Sequence, residues 1–389
     1  MFVTDTKVPP YGGAGVARMI GRVLTHVNIR EHRMILVTGI SGGLGGLIHH
    51  GLSAHYDLDP ATGGVAAAGG ATVAGGGAAS AGGGAAVAGG GAASAGGGAA
   101  VAGGGAAVAG GGAAVVGGTR SGDGVTARRI DFDDPASLTD GFRDVDVLVF
   151  VSAGYAEDDV VLARHGAVAD AAEAAGVRHV VYTSLARSGE PLTIAPPHRW
   201  TEARLAAAPF EVTILRNGLY AEIPAGLAAL GAATAAETGV FAAALGAGRM
   251  STVAREDLAD VAVRVTAEIQ HDLAAGRRSR HAGRTYELEG VETVGGDDLA
   301  EALADALNRP VRYQPIPLSA AREALTGLGL EPYQVTHTLS TFSNVIAGNL
   351  QAGESDLPAL LPTPPRPVRD QIVQTLAAAG HTPATTRTR

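Results

Sequence analysis

A chain of 389 residues with 29 basic against 38 acidic side chains and a formal charge of −9 lacks the clustered cations that a nucleic-acid backbone demands, so no nucleic-acid partner is expected. There is no cysteine, which removes disulfides, thiolate zinc sites, thiolate-held iron–sulfur clusters and a cysteine nucleophile together. No run of about 18 strongly apolar residues occurs, and residues 1–33 hold no apolar signal core, so a soluble, cytoplasmic protein with no membrane partner is expected.

Residues 1–33 read as an N-terminal extension expected to be disordered. Its Arg18, Arg22, Arg30 and Arg33 would also suit a targeting peptide, and Met34 stands where translation could begin instead. Met34 with Ile35-Leu36-Val37 reads as the first strand, followed by a glycine-rich turn. Residues 61–118 then form a Gly/Ala low-complexity insertion, in which the unit Val-Ala-Gly-Gly-Gly-Ala-Ala recurs from Val73, with Ser in place of Val at Ser80 and Ser94. Three consecutive glycines per unit, each costing about 1 kcal/mol relative to alanine in a helix, and the lack of large residues to form a seam rule out a coiled coil. The stretch is expected to be a flexible insertion.

Beyond it, apolar runs at 145–151 (VDVLVFV), 177–183 (VRHVVYT) and 210–215 (FEVTIL) read as buried strands, and the alanine-rich run 158–175 as a helix ended by Gly176. This alternation predicts an α/β fold, a Rossmann-type doubly wound parallel sheet. After about Tyr220 the pattern shifts to helices with short strands, including helices at 255–268 and 297–307, which predicts a smaller, mainly helical C-terminal substrate-side region. The expected organisation is therefore a dinucleotide-binding domain at 34–220 interrupted by the insertion, the substrate-side region at 221–380, and a disordered tail at 381–389.

The segment Gly39-Ile40-Ser41-Gly42-Gly43-Leu44-Gly45 lies between the first strand and a helix. In such a turn one glycine permits the tight bend, one lets backbone amides approach a pyrophosphate, and one allows close helix–strand packing, while the helix N-terminus favours negative charge. A purely structural turn is the alternative; a strand before, a helix after and a place at the head of the first βαβ unit favour the dinucleotide reading. An NAD site would close the second strand with an acid, whereas here Val115-Val116-Gly117-Gly118-Thr119 runs into Arg120. Arg120 is thus the candidate reader of a 2′-phosphate and the expected cofactor is NADP(H), with a solvated loop arginine as the alternative.

Further segments follow in order: Asp131-Phe132, Ser137-Leu138, 172–177 (AEAAGV), 182–185 (YTSL), His198 with Glu202, 215–220 (LRNGLY), 257–259 (DLA) and 286–290 (YELEG). With the glycine turn, they make the chain from Met34 to Ala379 resemble the NmrA-like atypical short-chain dehydrogenases, and within them the NAD(P)H:quinone oxidoreductase type 2 branch. The resemblance implies that Gly39 to Gly45 cradle the pyrophosphate and Arg120 reads the 2′-phosphate, with Asp131 and Phe132 flanking the adenine. It also implies that Ser152, Ala153 and Gly154 pass beside the ribose and nicotinamide, near Thr183. Asn217, Gly218, Leu219, Tyr220, Ala221 and Glu222 would form the wall where nicotinamide meets substrate. Two departures stand out: Ala203 occupies the place where relatives carry a lysine five residues after the histidine, and the family's His-x-Asn is His165-Gly166-Ala167.

No tyrosine is followed at the fourth position by lysine: Tyr182 leads to Ala186, Tyr220 to Pro224, Tyr155 to Asp159, and the only lysine is Lys7. Alcohol chemistry by a Tyr/Lys dyad is therefore not expected. A quinone can accept hydride directly, so no catalytic side chain is assigned, and Tyr155, His198, Asn217 and Tyr220 are the candidate pocket residues, each with a packing or surface role as alternative. His198 and Glu202 share a helix face but lack a third ligand, and Asp134-Pro135 suits a helix start better than a cation site, so no metal is expected. Trp200 and Pro196-Pro197 are expected to shape a loop over the pocket. The leading function is an NADPH-dependent oxidoreductase passing hydride to a quinone or similar small electrophile; the alternative is a non-catalytic NADP-binding, redox-sensing regulator. A quinone-like small molecule is the expected partner, and a homodimer is compatible with this reading.

Overall fold

A computed structural model describes residues 34–57, 113–124, 127–152 and 156–380. The extension 1–33, most of the glycine-rich insertion, Ala153, Gly154, Tyr155 and the tail 381–389 lie outside the described residues. Seven parallel strands form the central sheet: β1 (Met34–Val37), β2 (Ala114–Thr119), β3 (Ala127–Arg129), β4 (Val147–Val151), β5 (His179–Leu185), β6 (Glu211–Asn217) and β10 (Thr285–Leu288). Their order, β10-β6-β5-β4-β1-β2-β3, reverses direction beside β1, where β1 pairs with both β2 and β4. In doubly wound sheets that reversal opens the crevice in which a ligand sits.

The inner strands β1, β4 and β5 are largely apolar because both faces are covered, and the period of two assigns their residues to two cores. Ile35, Val37, Val147 and Val149 face one core with Ile48 and Leu52 of α1 (Gly43–Asp57) and Leu258, Val265 and Ile269 of α6 (Arg255–Ala274). Leu36, Leu148 and Phe150 face the other, with Leu138 of α2 (Pro135–Gly141), Val168 and Ala172 of α3 (Asp158–Ala175) and Leu205 of α4 (Ala195–Ala206). Helix α3 ends as expected at Gly176, whose φ of 71° permits the reversed bonds Gly176 N to Glu173 O and Val177 N to Ala172 O.

A third core gathers the C-terminal helices. Ala225, Ala228, Ala232 and Ala235 of α5 (Glu222–Thr238) pack with Leu299 and Leu303 of α7 (Gly296–Leu307) and Ile372 and Leu376 of α11 (Val368–Ala378). Two small sheets accompany them: β8 (Val240–Ala243) with β12 (Arg312–Pro315), and β9 (Arg249–Val253) between β7 (Leu219–Tyr220) and β11 (Glu292–Gly295). The remaining helices are α8 (Leu318–Gly327), α9 (Pro332–Ile346) and the short α10 (Leu357–Leu360).

Three sequence expectations shift. Strand β2 begins at Ala114, so the sheet takes residues that composition alone assigns to the insertion; Val115 and Val116 are strand-formers whose pairing with Ile35 and Leu36 the repeat pattern conceals. Helix α6 runs on to Ala274 rather than stopping near 268, because Gln270 and Asp272 are buried, Asp272 between Arg277 at 2.8 Å and Arg280 at 2.9 Å. Pro196 and Pro197 open helix α4 instead of a loop, since the first-turn N–H groups they lack would have had no intrahelical acceptor. No helix among the described residues is long and apolar enough to cross a membrane.

Candidate functional site

Thr38 ends β1 by donating its N–H to Val149 O at 3.0 Å, while its Oγ1 accepts from Val151 N at 3.0 Å, tying the turn to the end of β4. The chain then reverses at Gly39, whose φ of 65° a side chain would strain. Gly42 N donates to Gly39 O at 2.9 Å, and a Cβ on Gly45 would collide with Gly39 O and come within 2.7 Å of Gly39 C. Helix and turn therefore meet backbone to backbone. The first turn of α1 carries no acid, so its free amides and positive dipole end are left for an anion.

At the end of β2, a Cβ on Gly117 would overlap Ile40 Cδ1 and one on Gly118 would lie 2.7 Å from Ile130 Cγ1, so this Gly-Gly pair lets the turn and the β3 segment close on the strand. Arg120 follows, with its side chain 79% exposed and Nε 4.0 Å from Asp131 Oδ1. Phe132 stands edge-on to Phe150, with ring centroids 5.7 Å apart. The acidic run beside it is already engaged. Asp133 receives both Arg164 Nε and Nη2 at 2.7 Å, which lowers its pKa, and Asp134 caps α2 by accepting from Ala136 N at 3.1 Å.

The segment from Asn217 to Glu222 crosses from the sheet to α5. Asn217 is buried, its carbonyl accepting from Ala186 N at 2.9 Å and its side-chain oxygen unpaired; Gly218 N donates to Leu288 O and Ala221 N to Val253 O, each at 2.9 Å. Arg255 gathers the rest. Its guanidinium lies 5.0 Å from the Tyr220 ring centroid, its Nε is 3.3 Å from Glu222 Oε1, and a Cβ on Gly43 would overlap its Nη1. One arginine thus joins the N-terminus of α1 to Tyr220 and Glu222. Burial raises the pKa of both Tyr220 and Glu222, and Glu222 Oε2 has no partner. Reading the sequence did not single out Arg255, although a cation opening a helix, where the dipole disfavours it, was a usable signal.

A buried polar cluster lies behind β5. Tyr182, fully buried, places its hydroxyl 2.9 Å from His198 Nδ1, and His165, also fully buried, has Nδ1 2.8 Å from Thr201 Oγ1 and Nε2 3.5 Å from Ser152 Oγ. Thr201 Oγ1 lies 2.7 Å from Pro197 O. Burial pushes His198 down to about 4, His165 to about 3, and the Tyr182 phenol well above its usual range. Thr183 accepts from Ser152 N at 3.0 Å, so it pins the end of β4. His198 and Glu202 diverge, because Glu202 is held by Ser184 Oγ at 2.5 Å, Arg199 Nη1 at 2.8 Å and Arg216 Nη2 at 2.6 Å. Trp200 is 41% exposed on α4. Of the residues expected at the site, Ala153, Gly154 and Tyr155 lie outside the described residues.

The NAD(P)H-binding family matches residues 115–269. Quinone oxidoreductase 2 of Escherichia coli is 34% identical over 210 residues, 53% of this chain and 67% of that protein. The NAD(P)H azoreductase of Xenophilus azovorans is 29% identical over 212 residues, again 53% of this chain and 67% of the relative. Among solved structures, an NADPH-dependent quinone oxidoreductase from Escherichia coli complexed with NADPH superposes with a TM-score of 0.62 at 25% identity, covering 88% of this chain and 99% of that one. A triphenylmethane reductase from Citrobacter shares the fold, with a TM-score of 0.64 at 22% identity over 88% of this chain and all of the other.

Proposed function

The chain belongs to the NmrA-like family of NAD(P)H-binding proteins, and from that premise we propose that it is an NADPH-dependent oxidoreductase that passes hydride to a quinone or a similar small electrophile. The observation that carries this reading is the junction at Arg255, which brings the Asn217–Glu222 wall against the glycine turn. A dinucleotide fits the turn: the left-handed Gly39, the backbone contact at Gly45 and the acid-free start of α1 leave room and unpaired amides for a diphosphate.

On this reading Gly39 to Gly45 hold the diphosphate, and Arg120 engages the 2′-phosphate, exchanging its 4.0 Å contact with Asp131 for a stronger charge-assisted bond. Asp131 and Phe132 flank the adenine, while Ser152, Ala153, Gly154 and Thr183 border the ribose. When bound, the reduced nicotinamide supplies the hydride. The protein then positions the acceptor and polarises its oxygen. With the Tyr182 hydroxyl donating its hydrogen bond to His198 Nδ1, the neutral imidazole carries its proton on Nε2, which makes no hydrogen bond to the described residues and is the donor we assign to the acceptor. Neutral at physiological pH, His198 donates without presenting a cation. Asn217 and Tyr220 complete the donor set, and water protonates the reduced product. No Tyr/Lys dyad takes part, because the sole lysine is Lys7.

The test is NADPH oxidation with a panel of benzoquinones and naphthoquinones, alongside the affinities for NADPH and NADP⁺. Oxidation above background with at least one quinone is expected. Tight cofactor binding without oxidation across the panel would overturn the reductase reading and leave a cofactor-sensing one.

A further inference from the structure

The first residue of α6 is a cation, where the helix dipole favours an anion. Its side chain, 25% exposed, does not turn away into solvent, and the guanidinium packs against the N-terminus of α1, a second positive dipole end. Two unfavourable placements of one charge need a counter-charge. Glu222 supplies only part of it, through one oxygen at 3.3 Å, while its other oxygen is unpaired and burial raises its pKa. The Tyr220 ring holds the guanidinium from below at 5.0 Å, a cation–π contact that fixes its position without neutralising it. The result is a fork of donors beside the α1 amides, held by one carboxylate oxygen at 3.3 Å, with Glu256 and Asp257 sharing the first turn of α6.

We propose that Arg255 is the side-chain half of the diphosphate site: it closes over the cofactor's diphosphate opposite the α1 amides, letting go of Glu222 as it does so. This rests on the NADPH reading above and adds to it a ligand 212 residues further along the chain than Gly43. A planar arginine fork suits two phosphate oxygens better than lysine would. Gly43 is part of the device, because any side chain there would occupy the space the guanidinium uses.

Calorimetric binding of two fragments isolates the role: 2′-phospho-ADP-ribose, which carries the diphosphate, and adenosine 2′-monophosphate, which does not. Arg255→Ala is expected to weaken the first by about 10- to 100-fold, the scale of a lost charge-assisted bond, and to leave the second unchanged. NADPH and NADH should lose affinity equally. Gly43→Ala, which displaces the guanidinium but keeps the charge, should give a smaller loss in the same fragment. Glu222→Gln should hold or tighten the diphosphate fragment, since it removes the competing carboxylate. Unchanged binding in Arg255→Ala, or equal loss of both fragments, would overturn the proposal, as would a Glu222→Gln variant that loses as much as Arg255→Ala, because the pair would then be a structural latch. If the native protein binds neither fragment, the cofactor reading fails first and takes this inference with it.

Discussion

The two arginines assigned to the cofactor are held in opposite ways. Arg120, after β2, is 79% exposed with its nearest carboxylate 4.0 Å away, whereas Arg255, opening α6, is 25% exposed and wedged between Gly43, Tyr220 and Glu222. An exposed pair at that distance contributes little to the fold, about 0–1 kcal/mol, so on the proposed reading the worth of Arg120 would lie in a bound phosphate. The proposed acceptor pocket differs from both: buried His165, Tyr182 and Asn217 would hold its donors in place before any ligand binds, whereas Arg255 would exchange Glu222 for the diphosphate. On the proposed reading, selectivity rests on an exposed charge and chemistry on a buried constellation.

Acid should separate the two regions most strongly. His165 is buried with its pKa pushed down to about 3, against 6.5 for an ordinary histidine, so the unfolded chain takes up a proton that the folded chain refuses. That stability is fully present above pH 6.5 and is lost as pH falls toward the folded value; His179, down to about 4, acts in the same sense. The loss should be on the order of a few kcal/mol, read from denaturant midpoints along a pH series. The Asp133–Arg164 pair, whose carboxylate pKa is lowered, gives way only below the ordinary carboxylate range. A midpoint that stays flat from pH 7 to 4 would deny the buried histidines this role.

Next in size, His198→Ala should lower kcat with a quinone by about 100-fold, the scale of one lost polarising donor, with NADPH affinity kept. Equal damage to cofactor affinity would move His198 from the chemistry to the scaffold. Gly45→Ala strikes the turn that both regions share: its methyl meets Gly39 backbone, which cannot give way as a side-chain end can, so a loss of about 1–3 kcal/mol in stability is expected together with weaker cofactor binding. The smallest effect belongs to the exposed arginine. Arg120→Ala should weaken NADPH by about tenfold, one charge-assisted bond, and leave NADH unaffected; equal loss for both cofactors would remove Arg120 as the 2′-phosphate reader.

Much of the fold was legible in short stretches. The apolar runs around β4, β5 and β6 and the Gly176 stop after α3 are local signals, carried by residues a few positions apart. Val115 and Val116 show where such reading falters, because composition blends the start of β2 into the repeat and only pairing with β1 draws the line. Of the proposed site, the glycine turn, Arg120 and the Asn217–Glu222 segment were visible as motifs. Arg255 was not, since its partners Gly43, Tyr220 and Glu222 lie outside any window around it. The proline pair misled, reading as a loop where Pro196 and Pro197 start a helix.

Residue type and near spacing alone establish that strands and helices alternate, that a glycine turn opens the first βαβ unit, and that no lysine stands four residues after a tyrosine. Which side chains meet at that turn depends instead on the packing of distant segments. Parallel crossovers bring the ends of β1, β4, β5 and β6 to one edge of the sheet, and α6 returns across its face to set Arg255 against Gly43. Packing also sets the pKa values of the buried cluster: burial, not residue type, lowers that of His198 and raises that of Tyr182.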